Sequence, residues 1–393
     1  MKRLLLFSYI ILNALMAACS PDKGQVLCGA DRMDQYLHLI SGKRIALVAN
    51  HSSVVGDRHL VDTLLDRGIG KDQILKVFAP EHGFRGDRAA GVQIEDGIDP
   101  LTGIPVASLY GSHKKPEPGE LAGIELMIFD LQDVGARFYT YISTLHYVME
   151  ACAENGIPLL LLDRPNPNGG YVDGPVLDTA FRSFVGMHPI PVVYGLTIGE
   201  LAGMINGEGW LSQGISCDLT VIPCEGYYHG MTYSMPVSPS PNLANDHAIL
   251  MYPSTCFFEG TVLSEGRGTS MPFEVYGHPD LSGGFSFTPV AIEGVAKNPK
   301  FEGQICYGAD LREFSPQEGW TRVHLEFLLE AYKDFPVKEE FFTSYFSTLA
   351  GTGELRKMVE EGWEEEVIRA SWQPELEEYK LKRSEYLIYE ESN

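Results

Sequence analysis

Several signatures of common enzyme classes are missing from this chain. No Gly-x-Gly-x-x-Gly turn follows the first apolar run, so nothing supports a dinucleotide cofactor. No Gly-x-Ser-x-Gly elbow occurs, which disfavours a serine enzyme of the α/β-hydrolase kind. No His-Glu-x-x-His metal motif is present. Positive charge is short: 30 Lys and Arg face 53 Asp and Glu, a formal net charge of −23. That field disfavours nucleic acid and anionic membrane surfaces as partners, and its ordinary role is solubility. Repeats and low-complexity tracts are absent, and past the N-terminus no run is apolar enough to span a bilayer. With 44% hydrophobic and 21% charged residues in 393, the chain can build two domains with real cores.

Cysteine is sparse, with seven in all. The first ends a distinctive start: Met1-Lys2-Arg3 is basic, Leu4 to Ala18 is apolar with one Asn, and Leu15-Met16-Ala17-Ala18 puts small residues before Cys19. This reads as a bacterial secretory signal over residues 1–18, and the cysteine at the cut makes it resemble a lipoprotein signal with Cys19 lipidated. The expected product is a soluble body on an acyl anchor, tethered by residues 19–30 at the periplasmic side of a membrane. Ser20 is compatible with the outer membrane. The other six cysteines, an even count, permit disulfides in an oxidising compartment, but the sequence assigns no pairing. The Cys217 to Cys224 spacing matches no zinc pattern.

What the chain does have is five short apolar runs, each ending in a polar cluster. They lead into His51-Ser52-Ser53, into Glu81-His82-Gly83-Phe84-Arg85-Gly86, into Tyr110-Gly111, into Asp130-Leu131-Gln132-Asp133, and into Asp163-Arg164-Pro165-Asn166-Pro167. Strands are expected at 43–49, 74–79, 105–109, 125–130, 158–162, 190–193 and 218–223, with helices at 31–40, 59–66, 140–155 and 198–206. The alternation implies an α/β fold: a Rossmann-like, doubly wound, mostly parallel sheet over 31–225. All the clusters then lie on the carboxyl rim, where such sheets place their sites. Residues 226–290 are rich in Gly, Pro, Ser and aromatics; 323–335 and 354–369 read as helical, and 375–388 as a charged C-terminal stretch. Residues 226–393 are therefore expected to form a smaller α+β domain that reaches back over the rim.

Carboxylates dominate the candidate chemistry. Glu81 follows Pro80 at a strand end, and partial burial beside Phe78 and Phe84 would suit it to general acid work; a helix cap or an ion pair with Arg85 is the plainer reading. Asp130 and Asp133 form a second acidic site, and with Glu81 they meet the paired-carboxyl demand of glycoside hydrolysis. The same side chains with His82 also suit a divalent metal, which leaves a metal-dependent hydrolase as an alternative. Asp163 and Asn166 can bind sugar hydroxyls. Arg267, held between Gly266 and Gly268, suits a carboxylate clamp, with Glu259 an acid or its partner.

Together these stretches resemble the bacterial exo-β-N-acetylmuramidases of NamZ type, glycoside hydrolase family 171. The likeness is carried in order by Val48-Ala49-Asn50-His51-Ser52, Phe78 to Gly86, Phe129 to Gly135, Arg137-Phe138-Tyr139-Thr140-Tyr141, Asp163 to Pro167, and Glu259-Gly260-Thr261 through Arg267-Gly268-Thr269. The resemblance implies release of terminal N-acetylmuramic acid from peptidoglycan fragments, without metal or nucleotide, in a site between the two domains. It puts Glu81 at the family's suspected catalytic glutamate, with Asp130 or Asp133 assisting. Asn50, His51, His82, Arg85, Arg137, Tyr139, Asp163, Arg164, Asn166, Glu259 and Arg267 become candidate contacts to the sugar or its lactyl carboxylate. Glu265 departs from the small apolar residue expected there. A non-catalytic lipoprotein that captures muropeptides is a further alternative.

Overall fold

The computed structural model describes residues 26–81, 83–85 and 97–392. His82, Gly86, the N-terminal leader and Cys19 lie outside the described residues. Among the described residues no helix is long and apolar enough to cross a membrane.

A seven-stranded sheet carries the first half. Its strands are β1 (Ile45–Ala49), β2 (Ile74–Ala79), β3 (Gly97–Ile98), β4 (Pro105–Ser108), β5 (Leu126–Asp130), β6 (Leu159–Leu162) and β7 (Leu219–Ile222), in the order β3-β4-β2-β1-β5-β6-β7. All pairings are parallel except that of the edge strand β3 with β4. β1, β5 and β6 are buried along their whole length, as strands covered on both faces must be. Four helices cover the faces: α1 (Met33–Ile40), α2 (Leu60–Asp66), α3 (Tyr141–Asn155) and α4 (Ile198–Gly207). α3 stops at Gly156, whose φ of 65° an L side chain adopts only with strain. Thr197 and Glu200 form a reciprocal cap at the start of α4.

Residues 190–193 do not join the sheet, contrary to the sequence pattern. Pro189 and Pro191 remove two backbone donors there, and Val193 makes only isolated bridges to Ala136 and Asp173.

The second half holds α5 (Asp246–Thr255), a three-stranded antiparallel sheet of β8 (Val275–His278), β9 (Phe285–Phe287) and β10 (Cys306–Asp310), and the helices α6 (Glu326–Asp334), α7 (Phe346–Ala350), α8 (Glu354–Glu360) and α9 (Glu365–Arg383). The single helix expected at 354–369 is two, parted at Gly362 with φ 74°, and α9 absorbs much of the charged C-terminal stretch. One apolar cluster runs through both halves, from Ala46 and Phe129 to Phe258, Phe346 and Trp372. α9 and the residues after it return to the first half. There Tyr379 donates to Tyr194 O (2.7 Å), Arg383 to Gly195 O (2.8 Å) and Tyr389 to Asp163 Oδ2 (2.6 Å).

A second seam between the halves is Arg137, fully buried. Its Nη1 donates to Pro175 O (2.7 Å) and Ile190 O (2.8 Å). Its Nη2 donates to Leu349 O (3.1 Å) and Ala350 O (2.7 Å) at the end of α7. Burial pushes the guanidinium down to about 9, which leaves it charged at neutral pH. Gly351, with φ 71°, packs on this group: a Cβ there would meet Nη2 at 2.7 Å. Arg137→Met removes a donor from four buried carbonyls, of which Ile190 O keeps another partner, the Leu177 N–H (3.1 Å). The substitution is expected to cost about 3 kcal/mol or more in urea denaturation. Gly351→Ala should fall in the same direction through displacement of the guanidinium. Losses below about 1 kcal/mol in both would deny Arg137 this role.

Candidate active site

Strand order reverses between β1 and β5, the point at which open α/β sheets usually leave a crevice. Here polar side chains fill it. Asn50 donates to Tyr141 OH (2.7 Å), Ser52 Oγ donates to Asn50 Oδ1 (2.6 Å), and Ser53 Oγ donates to the Asp130 carbonyl. The hollow opens one step along the rim, beside the ends of β2 and β4. Its volume is about 750 Å³, within the usual range for small-molecule sites.

Glu81 enters this cavity from the end of β2, half-buried. Gly83 turns the chain just after it, with φ 80° and its N–H on Pro80 O (3.2 Å). Thr140, the residue before α3, donates from Oγ1 to Glu81 Oε2 (3.3 Å). Tyr110, after β4, lines the cavity beside the same carboxylate, and burial together with the Glu81 charge raises its phenol well above the ordinary value. Phe138, Tyr252 and Tyr345 add aromatic walls, with apolar faces that suit the C–H surface of a sugar ring.

The second half supplies a charged wall. Arg267 Nη2 donates to Glu259 Oε1 (2.6 Å), and its Nε lies 3.2 Å from Glu265 Oε1. Its guanidinium also sits over the Phe273 ring at 5.0 Å. Burial alone would depress Arg267, but Glu259 and Glu265 outweigh it and hold the charge above the ordinary range. Lys300 lies 3.2 Å from Glu265 Oε2 and donates to the carbonyls of Phe258, Thr261 and Leu263 at 2.7–3.1 Å. It therefore fixes the turn that presents Glu259. Lys297, also on the wall, is exposed and makes no ion pair among the described residues.

Many of the other residues singled out by sequence lie elsewhere. Asp130 and Asp133 do not face Glu81. Asp130 is fully buried and gripped in two-pronged fashion by Arg164 at 2.6 and 2.9 Å. That geometry offsets the cost of burying both charges, and neither partner reaches the cavity. Asp133 is enclosed by Tyr194, which donates to it, and by the Gly135 N–H (2.7 Å). Arg137 is the seam described above. Arg85 is spent on Asp62 and Asp99, each at 2.8 Å. Asp163 receives Arg164 N–H, Thr197, Gly199 N–H and Tyr389. Asn166 braces Leu196 O and Asn168 N–H. His51 bonds Ser238 O (2.8 Å) and Tyr139 donates to Pro239 O (2.7 Å), so both pin the 238–242 loop; Tyr139 also lines a small side hollow with Glu81 and Arg267. The donor set of a metal centre is not assembled: Glu81 is separated from Asp130 and Asp133, and no group of three or more His, Cys, Asp or Glu suited to a metal occurs among the described residues. Sequence reasoning overlooked Thr140, Lys297, Lys300 and Tyr345, and noticed Glu265 only as a departure. Thr140 lay inside a quoted motif, whereas the lysines carried no local signal.

The chain matches two family models in succession: exo-beta-N-acetylmuramidase NamZ, N-terminal, over residues 45–247, and the C-terminal counterpart over residues 250–389. It is 38% identical over 400 residues to a peptidoglycan beta-N-acetylmuramidase NamZ of Bacillus subtilis, across 95% of each chain. Two crystal structures of DUF1343 family proteins from Bacteroides fragilis share the fold. One has a TM-score of 0.86 at 44% identity, covering 94% of this chain and all of that one. The other has a TM-score of 0.80 at 26% identity, covering 93% and 99%.

The enclosed carboxyls have a consequence for pH. Burial raises Asp133 from 3.8 to about 6, against the lowering effect of Tyr194 and two backbone N–H groups. The unfolded chain then releases this proton before the folded chain does. Asp133 therefore contributes most to stability below about pH 4, and that contribution declines as pH rises through about 6. Asp133→Asn removes the decline, so relative to the wild type the variant should gain up to about 3 kcal/mol between those limits in urea denaturation. A difference independent of pH would show that Asp133 is not held protonated.

Proposed function

The chain belongs to the exo-β-N-acetylmuramidase NamZ family, and on that premise we propose that it is a glycosidase of cell-wall turnover. In this reading it releases terminal β-linked N-acetylmuramic acid from the non-reducing end of peptidoglycan fragments. The observation that carries the proposal is the position of Glu81: half-buried, held by Thr140 beside Tyr110, and facing a cavity sized for a sugar. Glu81 protonates the glycosidic oxygen as the bond to C1 breaks and positive charge grows on the ring. Asp130 and Asp133 do not line the cavity, so attack on C1 falls to water or to the substrate's own acetamido oxygen, next to the carboxylates that do line it.

The substrate's lactyl carboxylate needs a cation. Arg267 and Lys300 are already balanced by Glu259 and Glu265. Lys297 is the cavity cation without an ion pair among the described residues, and we assign it to this group. Chromogenic β-N-acetylmuramide should be hydrolysed and its N-acetylglucosamine counterpart left intact. Glu81→Gln should lower kcat by about 100-fold or more. Lys297→Met should raise KM for the muramide about tenfold with little change in kcat. Equal hydrolysis of both sugars, or full activity in Glu81→Gln, would sink the proposal.

The basic and apolar leader ending at Cys19 supports export and attachment to a membrane by an acyl chain. The wild type should partition with membranes in the native host, and Cys19→Ala should release the processed or unprocessed chain from acylation in a labelled-palmitate assay. Equal label in both would rule out Cys19 as the anchor.

A further inference from the structure

The first described residues run beside the segment that leaves β7. Leu27 and Glu225 form an antiparallel pair that exchanges both backbone hydrogen bonds: Leu27 N–H to Glu225 O at 3.0 Å, and Glu225 N–H to Leu27 O at 2.8 Å. The bridge is isolated, since the Gly29 N–H turns away to Asp163 O (2.8 Å). The position next to such a pair is still of the non-hydrogen-bonded kind, which in a regular ladder sets Cα atoms about 4.5 Å apart with side chains on one face. One residue on from Leu27 and one back from Glu225 brings Cys28 opposite Cys224. The backbone stays extended through Cys28, with φ −69° and ψ 162°. Neither cysteine N–H crosses to the other strand. That of Cys28 goes to Asp31 Oδ2 (2.8 Å) and that of Cys224 to the Tyr389 hydroxyl (2.8 Å). Both features are those of the non-hydrogen-bonded position, whose spacing falls inside the roughly 4.4–6.8 Å range that a disulfide spans.

We propose that Cys28 and Cys224 are a disulfide-forming pair that fastens the N-terminal segment to the end of the large sheet. The two thiols lose two protons and two electrons to a low-molecular-weight or protein disulfide. One S–S bond forms in the chain, and the oxidant leaves as two thiols. In the structure both cysteines are free and enclosed, with Cys28 Sγ 3.7 Å from the Tyr233 hydroxyl and Cys224 Sγ donating to Asp163 O (3.3 Å). Desolvation pushes each thiol above its ordinary value. Thiolate is therefore scarce once the segment has docked, and the bond forms as the chain folds. The other buried cysteines lack this placement: Cys152 lies within α3, and Cys217, Cys256 and Cys306 have no cysteine opposite them in a paired strand.

The full chain is denatured, reduced and refolded with oxidised and reduced glutathione. Free thiols are then alkylated and the monomer is mapped by mass spectrometry without reductant. The expected result is one cross-linked peptide pair containing Cys28 and Cys224, with Cys152, Cys217, Cys256 and Cys306 alkylated. Reductant should lower the Tm of this species and leave that of Cys28→Ser unmoved. Recovery of both cysteines alkylated in the folded monomer, or of Cys28 joined to a different cysteine, overturns the proposal. If Cys28→Ser does not fold, the wild-type map decides alone.

Discussion

Arg137 divides its hydrogen bonds between carbonyls at 175 and 190 in the first half and carbonyls at 349 and 350 in the second. A buried guanidinium without a carboxylate is costly unless dipoles replace the lost water. The last turn of α7 helps, because its unsatisfied carbonyls form the negative end of a helix. The position of this residue gives the arrangement its reach. Phe138 and Thr140 follow it directly in the chain and form one wall of the cavity. Tyr345 immediately precedes α7 and stands on the other wall. The two sides of the hollow are thus referred to a single planar cation. Glu81, held by Thr140, inherits its placement from the same seam.

The strands and their rim were legible because a parallel sheet covered on both faces writes uninterrupted apolar runs, and the Leu159–Leu162 run is the plainest case. The roles of the rim carboxylates were not legible to the same degree. Asp130 and Glu81 both follow strands of similar character. One meets Arg164 from the next strand end and is sealed, while the other meets Thr140 and Tyr110 and stays half-open. That choice depends on distant side chains, Arg164 brought in from 34 residues away and Thr140 from 59. The arginines misled for a related reason. Arg85, Arg137 and Arg164 lie in the clusters that mark the family, yet each is consumed internally. Buried structural cations and ligand-binding cations look identical in one dimension. Lys297 is the reverse case, in a loop with no periodicity to mark it.

Charge within the hollow is matched at short range. Glu259 and Glu265 sit against Arg267 and Lys300, and the lysine is further held by carbonyls of the turn between them. This local neutrality matters in a chain of net charge −23. An anionic sugar meets no concentrated repulsion at the site itself, and the far field of the acidic surface is screened beyond about 8 Å at physiological ionic strength. Discrimination therefore rests on contacts made inside the hollow.

The return of residues 379–389 to the large sheet ties the two halves at a second place. Asp163, at the end of β6, receives one of its hydrogen bonds from Tyr389, and Glu200 at the start of α4 receives the N–H groups of Ile388 and Tyr389. Both acceptors are buried in the first half, and these donors come from beyond α9 in the second. Asp163 keeps Arg164 N–H, Thr197 and Gly199 N–H, and Glu200 keeps Thr197 N–H, within the first half, so residues 388 and 389 complete sites that are already partly satisfied. Loosening the last turn of the chain would therefore be felt at the end of β6 and the start of α4, far from it in sequence.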